Sequence, residues 1–268
     1  MRFFWISQLR KDFLWAFSYK ISFFGQFIGI GLSVYTLFFI SKTFEMSKST
    51  HLIQYGENYF LFAIIGLGTL DMINLCLRSA TRSVRDAQAF GFIDVMISSR
   101  VDPQSVILSS LVYPFLIGLI RIVVYLFCAF FLQDLNFSFL SITLTIGVML
   151  LTFMSFMGLS LIAASFVILY KQGDPINYLS GLVIFLFSGV LFPVSVLPDV
   201  FQPISSFVPI THGLEMMRKI LIFDSHEFWS FSAASYLLFW SAILYYFGII
   251  ALHRAIELSR ISGNLGKY

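Results

Sequence analysis

Only two charged residues, Asp71 and Arg121, stand well inside long apolar runs. All four histidines, His51, His212, His226 and His253, fall outside those runs or at their ends, so no histidine relay crosses the chain. Neither His-Glu-x-x-His nor Gly-x-Ser-x-Gly occurs. Gly66-Leu67-Gly68-Thr69-Leu70-Asp71 displaces its acid from the Gly-x-Gly-Asp order of membrane aspartyl proteases, and a dyad needs a second buried carboxylate. Gly263-Asn264-Leu265-Gly266-Lys267-Tyr268 lacks the glycine–lysine spacing of a phosphate loop. Cys76 and Cys128 sit in apolar runs and read as small buried hydrophobes. These residues make no hydrolase and no nucleotide site. An intramembrane charge in this setting points instead to a pathway or to a pairing between helices.

The elements that carry the two charges follow from composition. Of 268 residues, 58% are apolar and only 12% charged. Ordinary soluble domains carry about 25% charged residues, so part of this surface must face lipid. The small net charge of +3, spread in clusters between apolar runs, argues against a nucleic-acid partner. Runs near the roughly 20 residues that a helical span needs fall at 21–40, 59–77, 106–132, 140–167, 178–196 and 231–252. The expectation is an all-α polytopic membrane protein with six transmembrane helices.

Placing the N-terminus in the cytosol puts twelve Lys and Arg on inner segments and four on outer ones, with Arg121 inside a span. That bias predicts both termini in the cytosol. Arg2, Arg10, Lys11 and Asp12 interrupt the first twenty residues, so no cleavable signal peptide is expected there. Trp5, Leu9, Phe13 and Phe17 recur at helical spacing, which predicts an amphipathic helix in the inner interface or, failing that, an inward extension of the first span.

On this topology Asp71 lies twelve residues past Tyr59, about 18 Å down its span. Arg121 lies eleven residues before Leu132, about 16–17 Å from the same surface. The two depths match an intramembrane ion pair. They fit equally a charge that faces an aqueous path alone or borrows a backbone carbonyl.

Two connections exceed simple loops. From 78 to 103, Arg82, Arg85, Asp86 and Gln88 supply polarity, while Phe90, Ile93, Met96 and Ile97 form an apolar stripe beside Gly91, ended by Pro103. Such a face must rest on the membrane or in a partner's groove. Further on, Pro193, Pro198, Pro203 and Pro209 interrupt a stretch that stays apolar through Phe201, Ile204, Phe207, Leu214 and Ile220. This predicts short broken helices in the outer half of the membrane, acting either as a gate or as a static cap.

At these two segments the chain resembles the permease subunit of a bacterial type-two ATP-binding-cassette exporter. Gly91-Phe92-Ile93-Asp94-Val95-Met96-Ile97 stands where that family usually shows Gly-Thr-Leu-Glu and leucines, with Phe92 for Thr, Asp94 for Glu and Arg100 where proline is common. The outer element is closer, through Phe192, Pro193, Ser195, Leu197, Pro198, Pro209, Thr211, Glu215 and Arg218. The Phe-Pro-Val-Ser and Pro-Ile-Thr stretches are more similar to drug- and lipid-type members than to polysaccharide-type ones.

The resemblance implies one membrane domain over 1–268. It comprises an interfacial helix at 1–20, six spans within 21–252, a cytosolic coupling segment at 80–103, outer re-entrant helices at 193–222, and a cytosolic tail at 253–268. It further implies ATPase coupling through Arg85, Phe90, Gly91, Ile93, Asp94, Met96 and Ile97. An outer gate would use Pro193, Ser195, Pro198, Pro209, Thr211, Glu215 and Arg218. ATP and Mg would sit on a separate nucleotide-binding subunit, with no cofactor or metal on this chain. A second permease chain, identical or similar, would complete the assembly in the bacterial inner membrane. A hydrophobic or amphipathic cargo (drug, lipid or lipid-linked glycan) suits walls drawn from 33 phenylalanines, although phenylalanine serves equally as a lipid-facing residue. The competing expectation is a secondary transporter or channel, which the lack of a visible internal repeat disfavours.

Overall fold

The computed structural model describes residues 2–45, 58–91, 102–133, 138–171, 174–223 and 230–261, and every regular element among them is helical. In chain order these are α1 (Arg2–Ser18), α2 (Lys20–Glu45), α3 (Tyr59–Ala89), α4 (Pro103–Ser109), α5 (Val112–Gln133), α6 (Phe139–Tyr170) and α7 (Pro175–Phe187). A 3₁₀ turn at Val194–Val196 precedes α8 (Gln202–Phe207), α9 (Pro209–Phe223) and α10 (Phe231–Ile261). Helix starts follow local chemistry. Asn58, Asp102, Ser138 and Asp174 each accept a backbone N–H of the first turn, and proline follows Asp102 and Asp174 directly.

Five stretches are long and apolar enough to cross a bilayer: Lys20–Thr43, Tyr59–Ala89, Pro103–Gln133, Phe139–Tyr170 and Phe231–Ile261. The run expected as a fifth span over 178–196 is different. Its helix, α7, has only 13 residues. That length rises about 20 Å, short of a hydrocarbon core of about 30 Å. The chain leaves the helix at Ser188, and Gly189 takes a positive φ of 69°.

The third span is broken where sequence periodicity showed an unbroken run. Ser110 and Leu111 bond back to Ile107 and Leu108 in tight three-residue turns, and α5 restarts just before Pro114, which has no N–H to continue the ladder. The second span runs the other way, past its expected end at residue 77 to Ala89, so Arg82, Arg85, Asp86 and Gln88 extend α3 instead of opening a separate helix. Around α1, Leu9 and Phe13 turn toward the protein, Phe13 meeting Tyr113 edge-on at 5.1 Å. Trp5 and Phe17, expected on the same stripe, are exposed.

The core lies among α3, α6, α9 and α10. In lipid, helices gain little by burying apolar area, so close backbone approach and interhelical hydrogen bonds hold them together. Ser160 donates to the Cys76 and Leu77 carbonyls of α3 at 2.8 and 3.1 Å, and Ser155 donates to the Leu237 carbonyl of α10 at 3.0 Å. Where α6 crosses α10, a Cβ on Gly158 would collide with the Leu244 backbone, and one on Gly248 would press on the Gly158 carbonyl. The obstacle is backbone on both sides, so no rotamer change relieves it. Gly158→Val is therefore expected to destabilise the purified chain by at least about 2 kcal/mol. Thermal unfolding in detergent checks this, with Gly147→Val, which meets open space, unchanged.

Candidate functional site

The charged pair comes first. α3 and α5 pack side by side, and Arg121 Nη1 donates to both Asp71 oxygens at 2.8 and 2.7 Å. Arg121 Nη2 donates to Gln26 Oε1 of α2, joining three helices, while Nε has no partner among the described residues. The Asp71 side chain keeps 27% of its surface exposed and Arg121 11%, so the carboxylate forms the open edge of the pair.

The second site is the segment after α7. α9 does not lie over the helix ends. Its Met217 Sδ accepts from Thr69 Oγ1 at 3.9 Å, and its Gly213 abuts Thr152. Thr69 is ten residues past Tyr59 and Thr152 thirteen past Phe139, so α9 reaches about 15–20 Å along two spans. A chain that breaks and turns at that depth must satisfy its own carbonyls. Arg218 does much of this. It is 2% exposed, donates Nη1 to Gly189 O (2.8 Å), Nη2 to Val190 O (2.7 Å), and Nε and Nη2 to Phe62 O (3.2 and 3.1 Å). Its guanidinium carbon sits 3.4 Å from the Phe62 ring centroid. Val190 reaches α3 only because position 66 is glycine; a Cβ there would overlap the Val190 carbonyl and crowd Arg218.

A second tether holds the turn between α8 and α9. Tyr236 Oη donates toward the Ser206 and Phe207 carbonyls (3.0 and 3.1 Å), and His212 Nε2 lies 2.9 Å from Ser206 O. The His212 and Tyr236 rings pack at 4.4 Å. Beside them lies a half-open cavity of about 360 Å³, lined by Glu215, Met216, Lys219 and Ser232 among others.

Of the expected gate residues, Pro193 caps the 3₁₀ turn, Pro198 accepts from Phe201 N, and Pro209 opens α9. Ser195 is exposed, while Thr211 is buried with a hydroxyl that has no partner among the described residues. Glu215 is half-buried at the cavity, and Arg218, counted from the sequence among the charges of the outer segments, is interior. Gly66, His212 and Tyr236 were missed. Their sequence signals, a glycine among glycines and aromatic residues near apolar runs, are not distinctive.

Of the expected coupling residues, Arg85 is exposed on the last turns of α3 and Gly91 closes that helix with φ 71°. Phe90 is exposed and packs 6.0 Å from Trp15 of α1. Ile93, Asp94, Met96 and Ile97 lie outside the described residues. At this α1 end of the bundle, burial raises the Asp12 carboxyl above its ordinary range, against the lowering pull of Lys11. No group of three metal-ligating side chains occurs among the described residues.

A broken-helix element tethered inside a bundle of apolar spans, with an ion pair joining three of its helices, is the architecture of a multi-pass transport protein. The family model of ABC-2 type transporters matches residues 2–222, and the chain belongs to that family, as a membrane permease component of an ABC transporter. No curated protein matches the chain significantly.

Two expectations follow. With Ser195→Cys, Ser205→Cys and Thr211→Cys, only the first should react with an aqueous maleimide; adding Arg218→Gln, which strips donors from three buried carbonyls at a cost of about 3 kcal/mol or more, should let the other two react. Reversing the pair one residue at a time, Asp71→Arg or Arg121→Asp, should destabilise by about 3 kcal/mol or more in detergent unfolding, and the double reversal should recover a measurable part of that loss.

Proposed function

We propose that this chain is the membrane half of an ATP-driven exporter that moves a hydrophobic or amphipathic substrate out of the cytosol or inner leaflet of a bacterial inner membrane. The observation that carries the reading is family membership across residues 2–222 in a chain with no phosphate loop of its own. ATP and Mg then belong to a separate nucleotide-binding subunit. The Lys and Arg bias orients the α1 end and both termini to the cytosol. The segment opened by Phe90 and Gly91, with Ile93, Asp94, Met96 and Ile97, faces that subunit. Arg85 flanks the docking surface.

A second permease chain follows from the surface of this one. Asp71, near the middle of its helix, is partly uncovered, and Gln26, about a quarter of the way along its span, is exposed; polar groups there avoid bare lipid. A second copy, or a similar chain, related by an approximate two-fold axis encloses them in a shared path. Pro193, Ser195, Pro198, Pro209, Thr211, Glu215 and Arg218 build the element that closes the path on the outer side.

Ile93→Asp tests the coupling. Placing a carboxylate in a desolvated apolar contact is expected to weaken ATPase docking by more than about 2 kcal/mol while membrane insertion is unchanged. Co-purification with the ATPase and substrate-stimulated ATP hydrolysis are the measurements. Full stimulation by the variant sinks the docking assignment.

A further inference from the structure

α2 and α7 each pack on α3, yet share no extended contact with one another. The face of α3 between them is consequently the least covered part of that helix. Its residues are Asp71, Asn74, Arg78, Arg82 and Arg85, spaced i, i+4 or i, i+3 along one stripe. The three arginines are exposed, and Asp71 and Asn74 half-covered. Asn74 has no hydrogen-bond partner among the described residues, and its Oδ1 points toward Gly181 of α7, 3.9 Å from where a Cβ would stand. The stripe thus runs from the middle of the span to its α1 end, about 21 Å.

An excess of arginine at one end of a span satisfies the general charge bias of membrane proteins. That bias is indifferent to helix face, and it puts no carboxamide on the same line inside the apolar run. The charges facing the stripe sum to a positive value. Arg121 cancels Asp71, Asp86 lies near Arg82 and feels Lys11 of α1, and Arg78 and Arg85 remain. Exposed apolar residues continue on the outward faces of both helices, Ile28 and Leu32 on α2 beyond the level of Gln26 and Leu179 and Leu182 on α7.

We propose that this face of α3 is a track for an amphiphile with an anionic, phosphate-type headgroup drawn from the adjoining leaflet. The head is bound by Arg85, Arg82 and Arg78 in turn and then hydrogen-bonded by Asn74. The acyl tail lies on α2 and α7. Guanidinium groups suit the anion because they give paired donors to its oxygens. This inference rests on the export reading above and names its substrate class.

The test uses the full chain in phosphatidylcholine nanodiscs with a trace of phosphatidic acid bearing an acyl-chain diazirine. The readout is photo-crosslink yield and the peptide labelled. Wild type should crosslink within α2 or α7, and excess unlabelled phosphatidic acid should compete. Arg78→Gln with Arg82→Gln should lower the yield about tenfold or more. Asn74→Leu should lower it less, and Arg254→Gln, at the same end of α10 but off the stripe, should leave it unchanged. Equal loss with Arg254→Gln overturns the proposal, since the attraction is then general surface charge. Equal competition by inorganic phosphate or by dodecyltrimethylammonium overturns it too, by removing the tail or the anion from the recognition. No ATPase is present in the assay. A chain that keeps this pattern yet couples to no ATPase therefore supports the track and sinks the export reading alone.

Discussion

The fold depends on one requirement: backbone carbonyls freed by a broken helix inside a membrane must find donors in the protein. α7 stops after 13 residues, and the chain spends the next stretch without regular structure. Arg218 answers for the Gly189 and Val190 carbonyls with one side chain, and its planar fork ties them to the Phe62 carbonyl of α3. Tyr236 and His212 do the same for Ser206 and Phe207. The irregular segment is thereby attached to α3, α9 and α10. Without those donors it would be an element that lipid does not tolerate.

The second organising feature is unequal coverage. α3 and α6 are buried over much of their length, held by serine-to-carbonyl hydrogen bonds and glycine crossings. α2 and α7 keep most of their surface outward, and with them the open edge of the Asp71–Arg121 pair. A neutral pair tolerates partial burial better than a lone charge, and sharing Arg121 with Gln26 fixes α2 where apolar packing alone would let it slide.

Much of this was legible in the sequence because the bilayer imposes its length on helices. The positions of α2, α3, α6 and α10 followed from apolar runs, and counting residues from Tyr59 and Leu132 put Asp71 and Arg121 at one level. The proline cluster marked the broken segment because proline removes the donor that a helix needs. What stayed hidden was set by tertiary partners. α7 ends where Val190 meets Gly66 and Arg218, although the run remains apolar to Val196. Arg218 read as an outer-segment charge of the gate because sequence cannot show which buried carbonyls await it. α3 outlasts its apolar run because Val84, Ala87 and Gln88 are buried against neighbours, and the break at Ser110 turns on a single proline within an otherwise uniform run.

The unbroken length of α3 has a mechanical meaning. Its 31 residues form one rod, gripped near Phe62 and Gly66 by the re-entrant segment and ending beside Trp15 and Gly91. A rod about 46 Å long that tilts by about 10° moves one end by about 8 Å relative to the other. Bending at a proline or a helix break would absorb such a tilt. α3 contains neither, so displacement imposed at its Phe90 end arrives at the carbonyl cluster around Arg218 as leverage.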